Sequence, residues 1–403
     1  MDKIRKMPIG KKEKPVPEAR TAYAHKTGID QLDYLNGMIV RPFDCDPYYS
    51  LGVREGSMIQ IVGNSGTGKT SLAIKIAANI TSKYENSEIY YDDIEGGTDE
   101  MRFMNISGFK DTELREKFFR RNVGVYTEQV RAQLLKISKA KKELKEDLMI
   151  ETDRVDYKGN PIFIYPPTVY IVDSCKVMVP EDLKEDDGLQ SNMVYAQIAK
   201  ANSGLAIQIV PHLLETNIIL MFINHLSSAI NINAYAYKPP MVNYLSQDES
   251  IPGGHTLIYL SNNIFKLTSR GKLKEDEDYG IIGYRSKLEL IKSRANRAGS
   301  SMDFVFDQVR GFSNELSNFE MLKNLELLRG SGRGYFIDEA PEVKFSKKEF
   351  LKVYHTNDEF KKTFNKKIKK ILKSRVPDPQ RDGDDGFDEI TETTIIKKKK
   401  KKK

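Results

Sequence analysis

Cysteine is scarce in this chain of 403 residues: Cys45 and Cys175 are the only two, and they lie far apart. Two distant thiols supply neither a disulfide framework nor the paired spacing of a zinc site, which points to a reducing compartment. Long apolar runs are missing as well. No stretch approaches the ~20 residues that span a bilayer, and the N-terminal MDKIRKMPIGKKEKPVPEAR lacks the apolar centre of a secretory signal. These absences predict a soluble, cytoplasmic protein with no membrane partner. A real charge surplus is missing too. The formal net charge is +7, but Lys397 to Lys403 are seven consecutive lysines, so the rest of the chain is neutral. Bulk charge therefore gives no case for nucleic acid, and any such case rests on local patches.

What the sequence does have is IVGNSGTGKT at 61–70, which fits G-x-x-x-x-G-K-[ST] at Gly63, Gly68, Lys69 and Thr70. The context fits as well. MIQIV (58–62) reads as a buried parallel strand, and SLAIKIAANI after Thr70 has the apolar spacing of a helix. Strand, loop and helix make a phosphate cradle from Gly63, Asn64, Ser65, Gly66, Thr67, Gly68, Lys69, Thr70 and Ser71. Glycines let backbone N–H groups curl round the phosphates, Lys69 neutralises the outer ones, and the Thr70 hydroxyl holds Mg2+. The expected cofactors are ATP and Mg2+.

Four regions follow from composition and periodicity. Residues 1–24 read as a flexible basic arm carrying Pro8, Pro15 and Pro17. From 25 to 315, strand-like runs such as SEIYY, PTVYIVD and NIILMFIN alternate with helical patterns, which predicts an α/β core with a mainly parallel central sheet. Residues 316–376 read as a small α+β C-terminal domain. Its final basic helix, DEFKKTFNKKIKKILKSR, places Phe360, Phe364, Ile368, Ile371 and Leu372 on one face and lysines on the other. Residues 377–403 are an acidic stretch followed by the lysines. By composition that tail serves equally as a phosphate contact, a partner for its own acidic stretch or a solvated segment.

Strand ends carry the remaining chemistry. PTVYIVDS places Asp173 where a P-loop enzyme needs a carboxylate for the Mg2+ shell. EIYYDDIEGG places Glu95 beyond a second strand, suited to orienting an attacking water, with Asp92 and Asp93 as rivals on composition alone. IILMFIN ends in Asn224 and His225, a pair able to hydrogen-bond a γ-phosphate, although His225 taken alone reads as a structural surface histidine.

Taken in order, Asp-Ile-Glu at 93–95, Val-Asp-Ser at 172–174, Ile-Asn-His at 223–225, Pro-Gly-Gly-His at 252–255 and Lys-Ser-Arg at 292–294 resemble the RecA-like strand-exchange recombinases. The Asn-His and Lys-Ser-Arg forms look closest to the bacteriophage UvsX branch. The resemblance runs from about residue 25 to about 375. It implies that the core is a RecA-like P-loop NTPase and that Glu95 is the catalytic carboxylate. It makes Asp173 the metal acid with Ser174 beside it, and His225 the coupler of the γ-phosphate to DNA. Asp99 matches an adenine contact, with Arg102 and Phe103 near the place of its aromatic neighbour. Lys292 and Arg294 match residues that reach the next subunit's nucleotide.

Segments 175–192 and 226–254 fall where this family binds DNA. Tyr235, Tyr237, Lys238, Tyr244, Gly253 and Gly254 of the second suit a single strand held without sequence preference, and its tyrosines equally suit packing against a neighbouring subunit. The implied activity is DNA-dependent ATP hydrolysis coupled to strand exchange in a helical filament. The implied partners are single-stranded DNA, homologous duplex DNA, further copies of the chain, and mediator and single-strand-binding proteins, in an infected bacterial cell if the gene is a phage's. Two other classes share parts of the pattern: a hexameric replicative helicase, expected to need a further N-terminal domain, and a nucleotide-gated scaffold, which has no need of Glu95.

Overall fold

Strand β1 (Met58–Gly63) is buried at every residue. A strand with no solvent face belongs inside a sheet covered on both sides. In the computed structural model, which describes residues 21–122, 125–183, 192–228, 242–276, 280–332 and 334–378, that is where it lies. The other strands of the sheet are β2 (Glu88–Asp93), β3 (Phe118–Arg121), β4 (Thr168–Asp173), β5 (Ile218–His225), β6 (Asn263–Asp276), β7 (Gly280–Ser293), β8 (Ser301–Asp307) and β9 (Gly311–Ser313). Among the described residues they run in the order β3-β2-β4-β5-β1-β6-β7-β8-β9. The first six are mutually parallel. From β6 onward the chain meanders through antiparallel pairs.

Alternation along the strands sorts side chains between two layers. Ile59, Ile61, Val169, Ile171, Ile219, Met221 and Ile223 pack with Leu72, Ile76 and Ile80 of the helix Lys69–Thr81. Their neighbours Met58, Tyr170, Val172, Ile218, Leu220 and Phe222 face the opposite layer, where Val130 and Leu134 of the helix Thr127–Glu143 and Leu205, Ile209 and Leu213 of the helix Asn192–Thr216 cover them. Helices on both faces of a mainly parallel sheet are the expected α/β core.

Register then aligns the carboxyl ends. Gly63 lies opposite His225 and Leu267, and Asp173 lies opposite Ile223 and Asp93. The P-loop, Asp173, His225 and the turn after Asp93 therefore open on one edge, where ligands bind in open parallel sheets.

Two elements depart from the simple alternation read from sequence. A hairpin of Ile150–Val155 and Pro161–Ile164 precedes β4. The long β6–β7 hairpin replaces strand-helix alternation after residue 263. Beyond residue 313 come the helix Asn314–Asn324, a hairpin of Tyr335–Ile337 and Ala340–Phe345, and the helices Phe350–Thr356 and Asp358–Lys373. Phe360, Phe364, Ile368 and Leu372 are buried together with Phe319, Phe345 and Phe350, and Ile371 packs against them. Tyr34 and Leu51 enter the same cluster, so this part of the chain shares its core with the N-terminal elements. Asn357 caps the last helix, accepting a hydrogen bond from Phe360 N at 2.9 Å. Residues 1–20, the acidic stretch from 381 and Lys397 to Lys403 lie outside the described residues. Among the described residues, no helix is long and apolar enough to cross a membrane.

Edge strand β3 is stitched to β2 by charge. Arg121 makes a two-pronged contact with Asp92 at 2.9 and 2.8 Å, and the Tyr170 hydroxyl donates to Asp92 at 2.5 Å. Arg120 pairs with Asp93 at 2.8 Å, and Asp93 also accepts from Gly97 N and Thr98 N at 3.1 and 3.0 Å. Both carboxylates are buried. Asp93→Asn takes from Arg120 its buried counter-charge, leaving only the exposed Glu100 at 3.6 Å, and is expected to lower stability by about 3 kcal/mol, the low end of the cost of breaking a buried pair. Denaturant unfolding checks this; a loss below about 1 kcal/mol contradicts it.

Candidate nucleotide site

The loop Gly63 to Gly68 is shaped by close approaches. A Cβ at Gly63 would lie 2.4 Å from Leu267 O on β6, and one at Gly68, where φ is +95°, would lie 2.7 Å from the Phe306 ring. Only glycine fits either place. Thr67 Oγ1 donates to Asn64 O at 2.9 Å, and Ser286 Oγ on β7 donates to Thr67 O at 2.9 Å, so the loop is braced from within and below. The helix Lys69–Thr81 starts at the loop's end and turns its free N–H groups towards the cleft. Lys69 is buried, and its ammonium folds onto Asn64 O at 2.8 Å. Burial lowers its pKa, against the opposing pull of Asp173 and Glu95. A lysine so placed is ready to exchange a loop carbonyl for a phosphate.

Thr70 Oγ1 donates to Asp173 Oδ2 at 2.7 Å across the mouth of the cleft. Burial raises the Asp173 pKa, and the hydrogen bonds from Thr70 and Tyr91 oppose that rise. A hydroxyl and a carboxylate are hard oxygen donors of the kind Mg2+ takes. No group of three or more His, Cys, Asp or Glu able to hold a metal occurs among the described residues. One acid and one hydroxyl thus fit a cation that takes its other ligands from phosphate and water, and do not fit one that needs a protein cage.

Of the three carboxylates at and just beyond the end of β2, Asp92 and Asp93 are tied into the ion pairs described above, whereas Glu95 faces the cleft. The Ser174 hydroxyl donates to Glu95 Oε1, and His225 Nε2 lies 3.3 Å from the same oxygen. The Glu95 side chain stays 38% exposed, so water reaches it. Glu95 N and Ile94 N both donate to Asp173 O, at 3.3 and 2.7 Å, which holds this turn against the end of β4. Asn224, beside His225, donates from Nδ2 to Pro252 O at 2.7 Å and links the end of β5 to the segment that follows.

Other residues singled out by sequence lie elsewhere. Asp99 caps the helix Glu100–Ser107, accepting from Arg102 N at 2.7 Å. Lys292 and Arg294 converge on the carboxyl end of the helix His255–Leu260: Lys292 Nζ donates to Ile258 O, Tyr259 O and Ser261 O at 2.5, 2.7 and 3.0 Å, and Arg294 Nη2 donates to Tyr259 O. Within one chain they cap that helix and are not among the residues lining the cleft. Burial, and then neighbouring Arg294, bring the Lys292 pKa down to about 8. Tyr244 is exposed, and its ring lies over Gly299. Gly253 and Gly254 lead into the helix His255–Leu260. Tyr235, Tyr237 and Lys238 lie outside the described residues.

Tyr91, Tyr284 and Phe306 were not singled out by sequence. Tyr284 lines the cleft beside Arg102 and stacks on Phe306 at 5.2 Å. The period-two pattern of β7 would have placed Tyr284 on the same face as Ser286 and Leu288. Tyr91 carries no signal beyond a polar atom in a buried strand.

Against known proteins, no family model matches the chain. It is similar to Protein RecA of Rickettsia africae (strain ESF-5), 20% identical over 337 residues, which cover 83% of this chain and 84% of that protein. It is similar to Protein RecA of Clostridium botulinum (strain Alaska E43 / Type E3), 22% identical over 315 residues, 76% of this chain and 73% of that one. Protein RecA of Rickettsia prowazekii (strain Madrid E) gives 22% over 282 residues, 70% and 69%. The chain is thus RecA-like in its mixed α/β core and, distantly, in sequence over most of its length.

Proposed function

We propose that this chain is a DNA-dependent ATPase of homologous recombination that assembles as a helical filament on single-stranded DNA and exchanges strands with homologous duplex DNA. The observation that carries this reading is the joining of Glu95, Ser174 and His225 within one cleft, with Asn224 leading straight into segment 226–254. A nucleotide switch needs such a line of contact between its reacting phosphate and the surface it controls.

Mg2+, when bound, neutralises charge building up on the β- and γ-phosphates. Thr70 and Asp173 would hold it. Lys69 binds the outer phosphates, and the loop from Gly63 to Ser71 wraps the rest. Glu95 orients the attacking water and polarises it. His225 shares Glu95 Oε1 and so registers whether a γ-phosphate is present. Asp99, which caps the helix Glu100–Ser107, would contact the adenine. Lys292 and Arg294, which line no part of their own chain's cleft, would act on the nucleotide of the next subunit. In this reading residues 25–315 are the ATPase core and 316–376 a small C-terminal domain. Segment 226–254, with Tyr235, Tyr237, Lys238 and Tyr244, contacts DNA, and the protein works in the cytoplasm, of an infected bacterium if phage-encoded. Mediator and single-strand-binding proteins would govern its loading.

Glu95→Gln is expected to bind ATP and DNA while lowering kcat about a hundredfold or more, within the range that general-base catalysis supplies. A steady-state ATPase assay on single-stranded DNA checks this, and near-normal turnover removes Glu95 from the role. A subunit carrying Lys69→Ala mixed with one carrying Lys292→Ala should recover part of the DNA-stimulated rate that neither shows alone. Mixed assemblies contain interfaces where an intact Lys69 meets an intact Lys292. No recovery, with co-assembly verified by sedimentation, contradicts a shared active site.

A further inference from the structure

Tyr91 lies in the middle of β2, fully buried, yet its hydroxyl faces the one carboxylate suited to the metal. It donates to Asp173 Oδ2 at 3.0 Å and lies 3.2 Å from Thr98 Oγ1. A buried hydroxyl gives up water to be there, and phenylalanine would fill the same space without that cost. Two features set the position apart from ordinary satisfaction of a buried polar group. Asp173 Oδ2 receives both Tyr91 and Thr70, so one oxygen is pinned from two sides and the carboxylate cannot rotate freely. Thr98 closes the turn that presents Glu95, and its N–H is held by Asp93 at 3.0 Å.

We propose that Tyr91 is a positioning residue of the nucleotide site, fixing Asp173 for Mg2+ through Oδ2 and tying that carboxylate through Thr98 to the turn that carries Glu95. This rests on the ATPase reading of the site and adds a residue to it. Tyr91 is fully buried and is not among the residues lining the cleft; it acts through Asp173. Thr70 and Asp173 would hold the metal; the hydrogen bonds of Thr70 and Tyr91 to Asp173 Oδ2 keep that carboxylate from swinging away. Outer partners of metal ligands typically matter about 10–100-fold in metal affinity or activity.

The test uses the full-length chain and a fluorescent, slowly hydrolysed ATP analogue, titrated with Mg2+ at fixed nucleotide and again in EDTA. Tyr91→Phe is expected to raise half-saturating Mg2+ about tenfold or more while leaving metal-free nucleotide affinity within about twofold of wild type. A merely structural role would lower both together or neither. Thr98→Val leaves the tyrosine in place and cuts its link to the turn; its half-saturating Mg2+ should shift in the same direction by a smaller factor, and this variant decides the matter if Tyr91→Phe does not fold. Incorporating 4-aminophenylalanine at position 91, which keeps a donor on the ring, should restore the wild-type Mg2+ response. Unchanged Mg2+ dependence in the folded variants, beside a normal wild-type response, overturns the role of Tyr91 and leaves the ATPase reading intact. Absence of any Mg2+-dependent nucleotide binding in wild type overturns both.

Discussion

The parallel register of four strands is the constraint on which the rest of the site depends. Gly63 opposite His225, and Asp173 opposite Ile223 and Asp93, bring the ends of β1, β5, β4 and β2 to one level. Side chains alternate with a period of two, so a slip of one residue would turn every core residue to the wrong layer. The two apolar layers therefore lock the register, and the register sets the geometry of the cleft. Thr70 meets Asp173, and Glu95 meets Ser174 and His225, because the strands beneath them cannot slide.

On that frame, polar contacts divide the acidic residues by role. Asp92 and Asp93 are consumed by Arg121 and Arg120 on the edge strand, which leaves Glu95 as the carboxylate after β2 that water reaches at the cleft. Asp173 is buried between Thr70 and Tyr91. Lys292 and Arg294 sit at the end of a short helix and hold its carbonyls, so the proposed contact with a neighbour's phosphate would require them to leave these partners.

Much of this was legible in the sequence because it is local. The P-loop is a fixed spacing, the buried strands are apolar runs, and the amphipathic face of Asp358–Lys373 appears in its period. What stayed hidden is non-local. Nothing in EIYYDDIEGG separates Glu95 from Asp92 and Asp93 until Arg120 and Arg121 arrive from a strand almost thirty residues away. Tyr91 reads as one more β-former until β4 brings Asp173 beside it. The capping by Lys292 was invisible because the carbonyls it holds belong to residues 258–261, more than thirty positions earlier. The shared core of the C-terminal elements with Tyr34 and Leu51 joins residues from opposite ends of the chain.

In the proposed function, nucleotide bound between subunits organises the chain along single-stranded DNA. Electron microscopy of the full-length protein with single-stranded DNA and a slowly hydrolysed ATP analogue distinguishes this arrangement from the alternatives. Open helical filaments that lengthen with the DNA, and that shorten or disperse when ADP replaces the analogue, are the predicted result. Closed rings of fixed subunit number, or assemblies indifferent to the nucleotide, would contradict it.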